Sequence, residues 1–257
     1  EHYVSHNRSE YLQMVRRAAG GGLLMSVTTL LKFGLAALAF SAFWGGFWAG
    51  VNYSISFVLI QLLHWTVATK QPAMTAPAMA AKLKDMQSSE DAAHTLEAFV
   101  DEVANLVRTQ VAAILGNVLV VFPAALVLSL LWWQMFGATP LDAAHAQSTL
   151  DSLHVLGPSA LFAAYTGVLL FASSLIAGWV ENWFVLRRLD SAIRYNPRFT
   201  RWLGKGRAKR WGDFWRVNIS GFAANISLGM MLGLTPAIAA FFGLGLEVRH
   251  VTLSSGQ

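Results

Sequence analysis

The residues able to do chemistry fall into two sets with different surroundings. Seven polar or charged side chains interrupt otherwise apolar stretches: Lys32, Asn52, Gln61, His64, Asn117, Glu181 and Asn225. Such groups are costly in lipid, so they mark a solute pathway, a proton relay or a buried contact inside a helix bundle. Lys32 lies near the middle of the first apolar stretch, too deep to reach headgroups easily. Glu181 is the only acid close to a stretch; it can pair with a neighbouring arginine, and whether it reaches Lys32 is open. Gln61 and His64 are spaced i, i+3 and are expected to share a helix face, where they would line a cavity or relay a proton. Pro123 and the Thr235–Pro236 pair are candidate helix breaks of the kind that line transporter sites.

The second set is one stretch, 187–217. It carries Arg187, Arg188, Arg194, Arg198, Arg201, Lys205, Arg207, Lys209, Arg210 and Arg216 against two aspartates, a net +8 in a chain whose total is +5. Tyr195, Phe199, Trp202, Trp211, Phe214 and Trp215 are interleaved with these cations. Guanidinium groups hold phosphates, and aromatic rings seat in the headgroup layer. The stretch should therefore draw anionic lipid headgroups by about 1 kcal/mol per cation near the surface. Nucleic acid offers phosphates and bases to stack on, but tethering at both ends to apolar segments favours lipid. GKGR at 204–207 lacks the spacing of a phosphate-binding P-loop.

No HExxH, GxSxG or paired-carboxylate cluster is present, and there are no cysteines, so neither a catalytic constellation nor a cofactor motif is read. His2, His6 and Glu10 align at i, i+4, i+8 as possible metal ligands. A solvated juxtamembrane helix accounts for them better, and no metal site is assigned.

The segments that must position these residues are apolar to a degree that excludes a water-soluble fold. The 257 residues are 55% hydrophobic and 13% charged, where ordinary soluble domains carry about 25% charged residues. A bilayer core needs about 20 apolar residues in helix, and five segments supply them: about 23–43, 46–68, 111–136, 159–180 and 219–244. The expected fold is an all-α polytopic transmembrane bundle with about five spans. It divides into a juxtamembrane amphipathic helix (1–22), a transmembrane hairpin turning at Trp44–Gly45 (23–68) and a cytoplasmic helical connection (69–110). Spans three and four with a short outer loop follow (111–180), then a basic cytoplasmic loop (181–218), and span five with a tail (219–257).

Ser88 or Ser89 would cap a helix running without a break into the third span. Pro72 and Pro77 mark a turn. Alternating the spans puts seventeen of the nineteen lysines and arginines on one face, leaving Arg249 on the other and Lys32 within a span. By the positive-inside rule the N-terminus is cytoplasmic. Trp44, Trp48, Trp132 and Trp133 fall at outer ends, and Trp65, Trp179 and Trp183 at inner ends. Small residues recur at packing intervals: Gly46 and Gly50, Ala163 and Gly167, and Gly221, Asn225, Gly229 and Gly233. HWTVATKQ (64–71) and HVTLSSGQ (250–257) share His, Thr and Gln in register after spans on opposite faces, as inverted repeats do. Three identities in eight are close to what chance gives.

Four strings carry a family likeness: EHYVSHNRSEYLQMVRRAAGGG, LIQLLHWTVATKQPAMTAPAMAAKL, SSLIAGWVENWFVLRRLDSAIRYNPR and LGLTPAIAAFFGLGLEVRHVTLSSG. Together they resemble a bacterial site-specific recombinase family, over most of the chain. The resemblance implies a bacterial inner (cytoplasmic) membrane protein of several passes, whose members extend further on both sides; the start at Glu1 and stop at Gln257 fit a piece of a longer chain without a signal peptide. The family's name implies strand exchange on DNA. Tyrosine recombination needs arginines and a histidine gathered with a tyrosine on one phosphate, whereas Arg249–His250 and Tyr195 with its arginines are expected on opposite membrane faces. No catalytic residue carries over. The expected role is transport-like or a membrane scaffold in contact with anionic lipid, with membrane-anchored DNA binding or recombination as the alternative and self-association open.

Overall fold

A computed structural model describes residues 8–38, 40–68, 92–139, 143–153 and 157–256. Nine helices occur among them: α1 (Arg8–Ala37), α2 (Ala42–Leu62), α3 (Ala92–Phe136), α4 (Ala143–Ser152), α5 (Ser159–Leu186), α6 (Leu189–Tyr195), α7 (Pro197–Leu203), α8 (Lys205–Phe241) and α9 (Val251–Ser255). Five of them, α1, α2, α3, α5 and α8, are long and apolar enough to cross a membrane. No strand occurs among the described residues.

Contacts between helices fix their directions. Tyr11 faces Arg108, and Val15 and Ala18 face Gly116, so α1 and α3 run parallel. Gly46 meets Gly233, Gly50 meets Gly229 and Met230, and Gln61 meets Gly221, so α2 and α8 run antiparallel. Small residues explain how closely this second pair approaches, since a Cβ on Gly233 would collide with the backbone of Gly46 and Gly50. The Ser54 hydroxyl sits at the same crossing and donates to the Gly50 carbonyl (2.8 Å) and across to Ile226 (3.1 Å). Met25, Phe57, Ile60, Val121, Leu228 and Leu232 form the dry centre. The outside carries Leu119, Phe122, Phe171 and Leu175, all more than half exposed. An apolar surface of that extent needs lipid to cover it.

Several boundaries differ from expectation. Residues 8–22 are not a separate juxtamembrane helix; they continue into the first span, and Met14, Ala18, Gly21 and Gly22 are buried. The hairpin does not turn at Trp44–Gly45: α1 ends at Ala37 and α2 starts at Ala42, with Ser41 at the N-cap and its carbonyl accepting from the Gly45 amide (2.8 Å). Lys32 is therefore only five residues from its helix end, about 7.5 Å, within reach of the surface. Pro123 and Pro236 lie inside unbroken helices, as proline does in many membrane helices. The connection before the third span is continuous with it from Ala92 onward. Ser88, Ser89, Pro72, Pro77, His2 and His6 lie outside the described residues. The 187–217 stretch is helical rather than a loop, and the 137–158 connection contains α4.

The largest departure is the end of the chain. Gly243, at φ +68°, takes the left-handed conformation that closes α8, with the Leu244 amide donating back to Ala239 (2.8 Å). Residues 244–250 carry no helix, and α9 is buried at Thr252 and Leu253. Instead of a tail on the far face, the chain re-enters the bundle.

The α2–α8 crossing predicts that Gly233→Leu destabilises the detergent-solubilised protein by about 1–3 kcal/mol or more. Gly167→Leu should leave thermal unfolding unchanged, because nothing lies within 4 Å of a Cβ there.

Candidate functional site

Asn117 on α3 is fully buried and joins three parts of the chain. Its Nδ2 donates to the carbonyls of Ala18 (2.5 Å) and Thr66 (3.1 Å). Its Oδ1 accepts from the Ala68 amide (2.7 Å) and the Thr252 hydroxyl (3.2 Å). A carboxamide has two donors and a two-lone-pair acceptor, and every one of those valences is used. Neither Asp nor Leu supplies that set. Gly21 and Gly22 make the approach possible, since a Cβ on either would collide with Thr66 or with Asn117 itself.

Two segments thus reach Asn117 from opposite ends of the bundle, 65–68 through its backbone and α9 through the Thr252 hydroxyl. Residues 65–68 follow α2 and are stitched by Thr66 N to Arg17 O (3.1 Å) and Gln110 Nε2 to Ala68 O (3.0 Å). The Trp65 indole covers Gly20. Residues 244–256 follow α8. The Arg249 amide donates to Thr166 Oγ1 (2.8 Å), and the Arg249 guanidinium lies over the Phe162 ring (5.5 Å). His250 stacks on Phe57 with centroids 5.6 Å apart. The matching threonines of the two His-x-Thr strings, Thr66 and Thr252, meet on one side chain.

The other intramembrane polar residues separate into smaller groups. Gln61 Oε1 accepts from Asn225 Nδ2, and Gln61 Nε2 donates to Asn218 Oδ1 (3.3 Å), a network between α2 and α8. Asn52 Nδ2 donates to Thr28 O (2.9 Å), tying α2 to α1. His64 shares no helix face with Gln61: α2 ends at Leu62, and His64 is exposed at φ +55°. Glu181 pairs with Arg216 (3.7 Å) at the end of the bundle where α5 enters the basic helices. Lys32 rests against the Phe33 ring (5.5 Å) in the other half.

The basic stretch is a helical platform. Arg188 in the left-handed region turns α5 into α6, Asn196 Oδ1 caps α7 by accepting from the Arg198 amide (2.9 Å), and Gly204 at φ +78° turns α7 into α8. Asp213 and Asp190 hold Arg194 at 2.5 and 3.6 Å, so α6 is clamped to α8. Arg187, Arg188, Arg198, Arg201, Lys205, Arg207, Lys209, Arg210 and Arg216 are exposed. Trp202 stands 91% exposed among them, and Tyr195 79%. Arg249 lies some 20 residues up α5 from the platform, about 30 Å along its axis, so Tyr195 and Arg249–His250 do not face one phosphate.

Sequence reasoning missed Glu247, whose carboxylate pairs with Arg249 (2.6 Å). It also missed that Asn117 outranks the other polar residues. The one available signal was the shared His-x-Thr spacing.

A family profile described as site-specific recombinase matches residues 1–257, the whole chain. No curated protein and no solved structure matches.

The junction predicts unequal losses. Asn117→Ala strands the buried Ala68 amide at about 1–3 kcal/mol and also removes the bonds to the Thr66 and Ala18 carbonyls, whereas Thr252→Val removes one bond worth about 0.5–1.5 kcal/mol. Unfolding of both variants in one detergent should give that order.

Proposed function

The chain belongs to the site-specific recombinase family, and we propose that it acts as an integral membrane scaffold whose platform of α6, α7 and the start of α8 lies on anionic lipid. The observation that carries this reading is the exposed alternation of cations and large aromatics, Tyr195, Arg198, Arg201, Trp202, Lys205 and Arg207, at one end of the membrane-spanning helices. Indole and phenol rings favour the headgroup layer, and cations at that depth gain from anionic phosphates. The clamp of Arg194 by Asp213 and Asp190 keeps the surface formed before lipid arrives, which lowers the ordering cost of binding. Under the positive-inside rule the platform and the N-terminus face the cytoplasm of a bacterial inner membrane.

The family's description supports a second reading, in which the same cations hold DNA and the protein acts on strands from its membrane anchorage. The two readings differ in what displaces the ligand. Protein reconstituted in nanodiscs should retain phosphatidylglycerol or cardiolipin over phosphatidylcholine. A variant with Arg198, Arg201, Arg207 and Arg210 changed to Gln should lose several-fold of that preference. Duplex DNA should bind weakly and without sequence preference, its affinity falling steeply with salt. Sequence-specific strand cleavage abolished by Tyr195→Phe would replace the scaffold reading with the recombinase one.

A further inference from the structure

Inside a bilayer, backbone that is neither helical nor paired is tolerated only where protein buries it or water reaches it. The returning segment poses that question directly. Residues 244–250 carry no helix and lead from the end of α8 to the level of Phe57, on which His250 stacks. Among the described residues, Gly245, Leu246 and Glu247 make no backbone hydrogen bond. Protein covers them only in part: Gly245 has open space around it, Leu246 is half-buried, and the Glu247 side chain is 48% exposed. Lipid would leave these groups unsatisfied and a carboxylate desolvated, so water must reach them.

Two cations share this half of the bundle. Arg249 is held by Glu247 at 2.6 Å, by the Phe162 face and, through its amide, by Thr166, seven residues or about 10.5 Å into α5. Lys32 lies about 7.5 Å below the end of α1, one turn beyond Thr28 and Thr29. There Thr29 meets Gly256, and Thr28 bonds Ser56 next to Phe57, whose ring stacks on His250. The charges of Arg249 and Glu247 both act on Lys32. Glu247 is already committed to Arg249. Lys32 has no acidic partner among the described residues. One partly buried ammonium is therefore in excess, and a charge at membrane depth draws a counter-charge.

We propose that the face opposite the basic platform opens into an aqueous vestibule lined by residues 244–249, and that Lys32, beside the Glu247–Arg249 pair, binds a small monovalent anion there. The junction at Asn117 is its floor. All four bonds to that side chain are made in this arrangement, so the vestibule is closed toward the platform.

The protein contains no cysteine, which permits a direct test in nanodiscs with single-cysteine variants and a neutral, polar, membrane-impermeant maleimide. Leu246→Cys should react at a rate near that of Gly206→Cys on the platform and far above that of Leu175→Cys on the apolar outside. Chloride or acetate, exchanged for bulky gluconate at constant ionic strength, should slow Leu246→Cys by about tenfold, the scale of a partly desolvated charged hydrogen bond. That protection should persist with Lys32→Arg and vanish with Lys32→Met, or with Lys32→Gln should the methionine variant fail to fold. A Leu246→Cys rate as low as that of Leu175→Cys overturns the vestibule. Labelling indifferent to the anion, or protection that survives loss of the Lys32 charge, overturns the anion site. None of these outcomes depends on lipid or DNA binding at the platform.

Discussion

Everything in the inner half of this bundle depends on one constraint: backbone amides and carbonyls that leave a helix within the membrane must find partners there. Asn117 meets that constraint for the Thr66 carbonyl and the Ala68 amide, and the same side chain accepts from the Thr252 hydroxyl of α9 while bonding Ala18 of the neighbouring helix. The bare face of α1 at Gly21 and Gly22 follows, because any side chain there would push the amide out of range. So does the parallel packing of α1 on α3, which brings Ala18 level with Gly116. Residues 65–68 are held by a side chain because no regular ladder is available to them, and α9 is pinned to the same side chain through Thr252.

A second layer of organisation comes from helix length. The 37 residues of α8 make about 55 Å of helix and the 45 of α3 about 67 Å, against a bilayer core of about 30 Å. The excess projects from the bundle. For α8 it carries Lys205 to Arg216, so the platform is a rigid continuation of a span, clamped to α6 through Arg194 and to α5 through Glu181 and Arg216. Small residues let α2 and α8 touch, and the Gln61–Asn218–Asn225 network fixes their register near the same end.

Much of this was legible from residue types. Five apolar blocks gave five long helices, small residues at Gly46, Gly50, Gly229 and Gly233 marked a real crossing, and the four quoted strings identified the family. Hydropathy reads how apolar a stretch is but not where its helix stops, so Trp44 and Gly45 fall inside α2 instead of in the first turn. Charge density made 187–217 look like a loop, yet Asn196, Gly204 and Arg188 are turn residues between short helices. The return of the chain after Phe241 has no periodic signature at all, because an extended segment inside a bundle is defined by tertiary partners: Phe57, Thr166 and Asn117 are distant in sequence. Likewise Ala163 and Gly167 have packing spacing, but Gly167 faces open space.

The central claim is that the 65–68 segment and α9 are held by one amide. Amide hydrogen exchange of the protein in nanodiscs tests it most directly, followed over peptides covering 64–68 and 249–256 beside the middle of α2 and α8. The account predicts that both segments exchange as slowly as those helices, although one lies outside any helix and the other is a single short turn, and that Asn117→Ala releases them together. Fast exchange of either segment in the unaltered protein, or release of only one by the substitution, would contradict it.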